Sequence, residues 1–188
     1  MIVVSNSYAQ PILRTADLSA GLHAVEKLLG IADLSYLEVD FDARISSTHS
    51  LSQVLALLPD ANWWADGDSD AAPDAGNDPS ARLPIWLRRM ASAPETVQPF
   101  LKAVGDSPAT VRWDFNAWPE APEIGLGVGG TRGAFVTLCA HARDLDLEEP
   151  AADHTVFVHV KQVEAERAPW LAAQVGLRVI GDLEMAPY

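Results

Sequence analysis

The sequence predicts a single α+β domain spanning 1–188, with a mostly antiparallel sheet of about five to seven strands packed with three to five short helices. Three observations predict it. Helical spacing and cap residues prevail before Gly105, and period-two alternation of apolar and polar residues prevails after it. The strand-like segments are joined by turn-rich stretches, the pattern of antiparallel neighbours. At 188 residues and 48% apolar composition, the chain suffices for one sizeable core, and two very small domains are disfavoured.

Taken in order, Ile2, Val3 and Val4, then Ile12 and Leu13 after Pro11, give one edge strand or two short ones. Thr15 is placed to cap a helix over 17–29, where Leu18, Leu22, Val25 and Leu29 recur at helical spacing, and Gly30 suits the left-handed position beyond it. Residues 34–45 form the cleanest strand pattern, with Leu37, Val39, Phe41 and Ile45 facing inward and Glu38, Asp40, Asp42 and Arg44 facing water. Thr48 can cap a second helix over 51–58, stopped by Pro59. About residues 65–80 are expected to be a mobile acidic loop, because their Asp, Gly, Pro and Ala content offers little to bury. Helices are then expected over 84–90 and from Ser92 to Gly105, the latter interrupted by Pro99. Strands come next at 111–117, 124–129, 134–141 and 155–163, with a turn through 130–133. A helix over 164–175 and a final strand over 177–183 close the chain.

Charge is the strongest clue to partners. The net charge is −13 and the pI about 4.6. Residues 1–80 carry 12 acids against 3 bases, and residues 81–188 carry 14 against 10. Such a surface disfavours nucleic acid and anionic membranes, which would be repelled. The opening residues lack the basic and apolar regions of a signal peptide, no apolar run is long enough to span a bilayer, and the one cysteine, Cys139, cannot form an internal disulfide. A cytoplasmic protein is the expectation.

No catalytic motif, cofactor or metal site emerges. Gly125-Leu-Gly-Val-Gly-Gly130 has the G-x-G-x-x-G spelling, but residues 131–138 after it are strand-like, and a dinucleotide fingerprint must open a helix. Alternate glycines more simply leave one face of a strand bare for an aromatic ring, a helix or a ligand. Asp66-Gly-Asp68-Ser-Asp70 matches the first half of a calcium loop, then fails at Ala71 and Asn77. His141, His154 and His159 fall on neighbouring strands without the spacing of a ligand set.

The binding candidates are therefore surface features. Glu38, Asp40 and Asp42 form a row on one strand face with successive side chains about 7 Å apart, and Arg44 is the only cation nearby in sequence. With Trp63, Trp64, Asp66, Asp68 and Asp70 they make an expected docking surface for a basic protein, aromatic anchors beside a charged rim, as in an immunity or antitoxin protein. The alternative is a small enzyme or ligand binder with a pocket over the glycine face, near Arg112, Asp114, His141 and His159. A third possibility is self-association through exposed Trp63, Trp64 or Trp118.

Overall fold

Among the described residues (7–68, 78–130 and 134–186 of the computed structural model), eight strands pair into one antiparallel sheet. In chain order the elements are β1 (Ser7–Thr15), α1 (Leu18–Leu29), β2 (Glu38–Ile45), α2 (Thr48–Leu57), β3 (Asn62–Ala65), β4 (Ile85–Ser92), α3 (Val97–Val104), β5 (Ala109–Phe115), β6 (Ala134–Ala140), β7 (His154–Lys161), α4 (Arg167–Gln174) and the two-residue β8 (Glu184–Met185). Across the sheet they run β3-β4-β2-β5-β6-β7-β1-β8. The expected α+β class with an antiparallel sheet is thus the architecture found.

The two faces of the sheet differ, and the difference places the candidate site. One face carries Val39, Phe41 and Ile45 of β2, Val111 and Trp113 of β5, Val136 and Leu138 of β6, and Val156, Val158 and Val160 of β7. All four helices pack residues into this core, among them Leu28, Val54, Phe100 and Leu171. Strand alternation turns the intervening residues to the other face. There, a smaller apolar cluster joins Ala9, Cys139 and Phe157 to Ala142, Leu145 and Leu147 from the β6–β7 loop and Ala186 near β8. The β2–β4–β5 part of that second face carries charged residues.

Several local expectations are corrected. Residues 84–90 are not a helix but most of β4: Ile85 and Leu87 point into the core, and the apolar Trp86 on the opposite face hides the alternation. The stretch 124–129 is not a strand; a 3₁₀ turn at Pro122–Ile124 leads into two isolated bridges, Ala121 to Leu126 and Trp118 to Gly129. Residues 177–183 likewise fail to make a strand. Their neighbour β1 slips register between Pro11 and Leu13, and Pro11, which has no N–H to donate, offers them only its carbonyl, to Ile180 N at 3.0 Å. Residues 34–37 form a turn, so β2 begins at Glu38; Tyr36 has φ +62°, which a strand cannot accommodate.

Helix starts shift as well: α2 begins at Thr48 rather than 51, α4 at Arg167 rather than 164, and α3 at Val97 rather than Ser92, which instead ends β4. Asp17 rather than Thr15 caps α1, accepting from Ser19 N at 2.9 Å, and Ser47 rather than Thr48 caps α2. Gly30 closes α1 in right-handed geometry, φ −63°. Pro99 and Pro169 each stand third in their helix, where a backbone N–H has no intrahelical partner, so neither α3 nor α4 needs a kink. Of the expected acidic loop, Ala65 ends β3 and Pro79–Arg82 form a 3₁₀ turn. Residues 69–77, with Asp70, lie outside the described residues, as do Ile2, Val3 and Val4 and the expected turn at 131–133.

Candidate functional site

Strand β2 lies inside the sheet, between β4 and β5, so Asp40 and Asp42 meet both neighbouring strands, whereas Glu38 is paired with β5 alone. Arg44 is therefore not the only compensation. Asp40 pairs with β5, opposite Arg112, whose guanidinium donates to its Oδ2; it also accepts from Ala91 N at 2.8 Å. That second bond exists because β4 bulges at Met90 and Ala91, with Ala91 at φ +53°. Asp40 is consequently 7% exposed. Asp42 accepts from Arg88 Nε at 2.6 Å, and burial still raises its carboxyl above the ordinary range against the opposing pull of Arg88.

Glu38 differs from the other two. Its partner in the β5 register is Asp114, a second carboxylate. Like charges directly opposite are unfavourable by roughly 0.2–1 kcal/mol. Asp114 is raised above the usual carboxylate range, first by burial and then by Asp40 and Glu38, with Arg112 acting against them. Asp42 and Asp114 thus share the field of Arg112, which is hydrogen-bonded to Asp40. Glu38 and Asp114 line a cleft of about 400 Å³ with Tyr36, Phe115 and Asn116. Tyr36, 87% exposed and at positive φ, forms its lip. Asn116 Nδ2 donates to Asp33 Oδ2 at 2.6 Å, and Asp33 N donates to Ala117 O, tying the Tyr36 turn to the end of β5.

The adjacent tryptophans do not act together, because successive residues of a strand face opposite ways. Trp63 packs against the main core. Trp64 lies on the charged face, stacked on Trp86 at 6.5 Å and 8°, with Arg88 5.7 Å from its ring centroid. Asp66 bridges Arg44 and Trp86 Nε1, both at 2.7 Å, and the Arg44 bond holds its carboxyl below the ordinary range. Asp68 pairs with Arg82 at 2.7 Å. Two of the three carboxylates of the calcium-like spelling, Asp66 and Asp68, are thus engaged by different arginines. Among the described residues, no group of three or more His, Cys, Asp or Glu is arranged to hold a metal.

Of the alternative set, three residues come together. Arg112 lies over Phe135 at 4.9 Å, and Phe135 meets His159 edge-on at 5.8 Å. Asp114, Phe135 and His159 occupy successive strands in one register row. His159 Nε2 shares a hydrogen bond of 2.8 Å with Thr137 Oγ1. Burial, then Arg112, depresses the imidazole to about 3. His141 stands beyond the far end of β6, donating its backbone N–H to His154 Nδ1 at 3.1 Å. Cys139 is buried, and burial pushes its thiol up.

The glycine stretch has a steric role of another kind. A Cβ on Gly129 would lie 2.5–2.6 Å from the guanidinium of Arg167, a residue of 0% exposure. Arg167 donates to Pro119 O at 2.7 Å, Gly127 O at 2.6 Å and Glu164 Oε2 at 3.1 Å. Of an aromatic ring, a helix or a ligand, it is a helix that fills the space at Gly129, through the buried arginine at the start of α4. Trp118 instead donates its indole N–H to His159 O at 2.9 Å.

Arg88, Tyr36, Asn116 and Arg167 were not legible as site residues. Arg88 falls in the stretch 84–90 that is expected to be helical, and no local pattern distinguishes Arg167 within the helix expected over 164–175. Comparison with protein-family models, curated proteins and solved structures finds no match to this chain.

Proposed function

We propose that this chain is a protein-binding protein that docks and neutralises a basic partner, in the manner of an immunity or antitoxin protein acting in the cytoplasm. A guanidinium or ammonium group of that partner would sit between Glu38 and Asp114. One observation carries the reading: two carboxylates face each other across β2 and β5 at the mouth of an open cleft, while their neighbours Asp40 and Asp42 have arginine partners. A fold that matches carboxylates with arginines over most of this face leaves one pair mismatched where a visitor can reach it. Retaining an unfavourable local arrangement is intelligible where binding relieves it. Tyr36 supplies an exposed ring for the stem or plane of the incoming side chain. No helix among the described residues is long and apolar enough to cross a membrane.

The alternative, an enzyme or small-molecule binder, has less support. His159 is 1% exposed and its imidazole stays neutral, Cys139 is buried as a thiol, and His141 lies apart from Arg112 and Asp114. Asp114 is the one member of the set that lines the cleft, and neither histidine nor the Cys139 thiol lines it alongside.

The test exploits opposite signs. Glu38→Gln and Asp114→Asn should each raise folding stability by up to about 1 kcal/mol in denaturant titrations, because each removes a like-charge contact. The same variants should weaken salt-sensitive capture of the partner from host lysate about tenfold or more. NMR titration with an arginine-rich peptide should perturb residues 36–38 and 114–116 first. Variants that capture the partner as well as the parent protein would remove the basis for this site.

A further inference from the structure

Toward the β8 edge of the sheet, away from that cleft, a groove of about 490 Å³ opens where residues 176–180 run beside β1. Ile12, Leu13, Leu177 and Ile180 line it, and Arg14 and Arg178 complete its wall. The apolar part is accessible, since Ile180 is 44% exposed. A Cβ built on Gly176 meets nothing within 4 Å, so the wall is open at that point.

What marks this groove, in a chain with 26 acids and 13 bases, is two arginines beside four aliphatic side chains. Arg89 on β4 also lacks an ion pair among the described residues, but it lines no such groove. Arg44, Arg82, Arg88, Arg112, Arg143 and Arg167 all form ion pairs with carboxylates. Among the described residues Arg178 makes no hydrogen bond or ion pair, and the one hydrogen bond of the Arg14 side chain is a long 3.5 Å contact to Thr155 Oγ1. Asp153 and Glu184 feel Arg14 only through space. Where acids outnumber bases two to one, a pair of cations without an acid in contact beside an apolar groove marks a surface complementary to an anion carrying an apolar tail.

We propose that this groove binds a free aliphatic carboxylate, a fatty-acid-like anion, with its head group between Arg14 and Arg178 and its chain along Ile12, Leu13, Leu177 and Ile180. A bidentate guanidinium–carboxylate contact fixes the head, and the tail adds affinity with each methylene buried. The site is separate from the Glu38–Asp114 cleft and does not depend on the reading given to that cleft.

Calorimetric titration with octanoate, octanol, octylammonium and butyrate tests it. Octanoate should bind at least tenfold more tightly than octanol, octylammonium or butyrate. Lengthening the chain by two carbons should tighten binding up to about tenfold. Amide shifts should map to Gly176, Leu177 and Ile180. Arg178→Gln, and separately Arg14→Gln, should weaken octanoate at least tenfold while leaving the melting temperature unchanged, since both side chains are on the surface. Arg178→Glu should abolish binding. Equal affinity for octanol and octanoate, or octanoate binding unaltered in Arg178→Glu, overturns the proposal, as does the absence of octanoate binding at millimolar concentration.

Discussion

Replacement of Arg167 by alanine is expected to destabilise the fold by about 3–5 kcal/mol, the scale for removing one partner from a buried charged network. For a chain of this size that lowers the melting temperature by roughly 6–20 °C. Arg167 has no solvent-exposed surface, and its guanidinium supplies donors to two backbone carbonyls, Pro119 O and Gly127 O, as well as to Glu164. Alanine would leave those acceptors without their donor and open a void between α4 and the 117–130 loop. Arg167→Met should recover part of the packing but little of the stability, because the carbonyls belong to the backbone and cannot be exchanged for apolar groups.

A double-mutant cycle separates this clasp from a general intolerance of the loop. Gly129→Ala should cost about 1–3 kcal/mol in the parent protein, since its Cβ would lie 2.5–2.6 Å from the buried guanidinium. The far end of an arginine usually moves aside at little cost, but here it is held by three hydrogen bonds in a closed space. In the Arg167→Ala background the same Gly129→Ala change should cost almost nothing, because the obstructing atoms are gone. Thermal or urea unfolding of the four proteins measures the coupling. Additive costs would refute the clasp.

The fold class was readable because alternation in β2, β5 and β7 reports a sheet with one strongly apolar face, and local signals suffice for that. What the sequence concealed depends on pairing. Asp40 and Asp42 looked like an uncompensated row because their counter-ions, Arg112 and Arg88, lie 72 and 46 residues away along the chain. Only the register that places β2 between β4 and β5 shows that two of the three acids are matched and Glu38 is not. Likewise Trp63 and Trp64 suggested a paired anchor, yet once they fall in a strand they must point to opposite faces. The glycines at 125–130 did signal a close approach, but the approaching group is a charge on a helix some forty residues later, and no local pattern names it.

Stability should fall steeply as the pH drops below about 6.5. The sign comes from His159, whose imidazole is held to about 3 in the folded protein by burial and by Arg112, against an ordinary value of 6.5 in the unfolded chain. Between these values the unfolded state binds a proton that the folded state refuses, so stability is full above 6.5 and declines by about 1.4 kcal/mol per pH unit below it. His154, lowered by burial and by His141, adds in the same direction. Asp42 and Asp114 act oppositely: their raised values let the folded state take up protons before the unfolded state does, which offsets part of the loss as the pH nears the carboxylate range. Urea titrations from pH 7 to 4.5 should therefore show a net loss of about 2–3 kcal/mol, and His159→Gln, which keeps a hydrogen-bonding group beside Thr137 without titrating, should remove most of that slope. A parent protein equally stable at both pH values, or a variant with the parent's slope, would refute this assignment. The variant also separates stability from docking. Asp114 is expected to lose its charge before ordinary carboxylates as the pH falls, so capture of the basic partner should weaken at acid pH even in His159→Gln, where the fold no longer pays the histidine penalty.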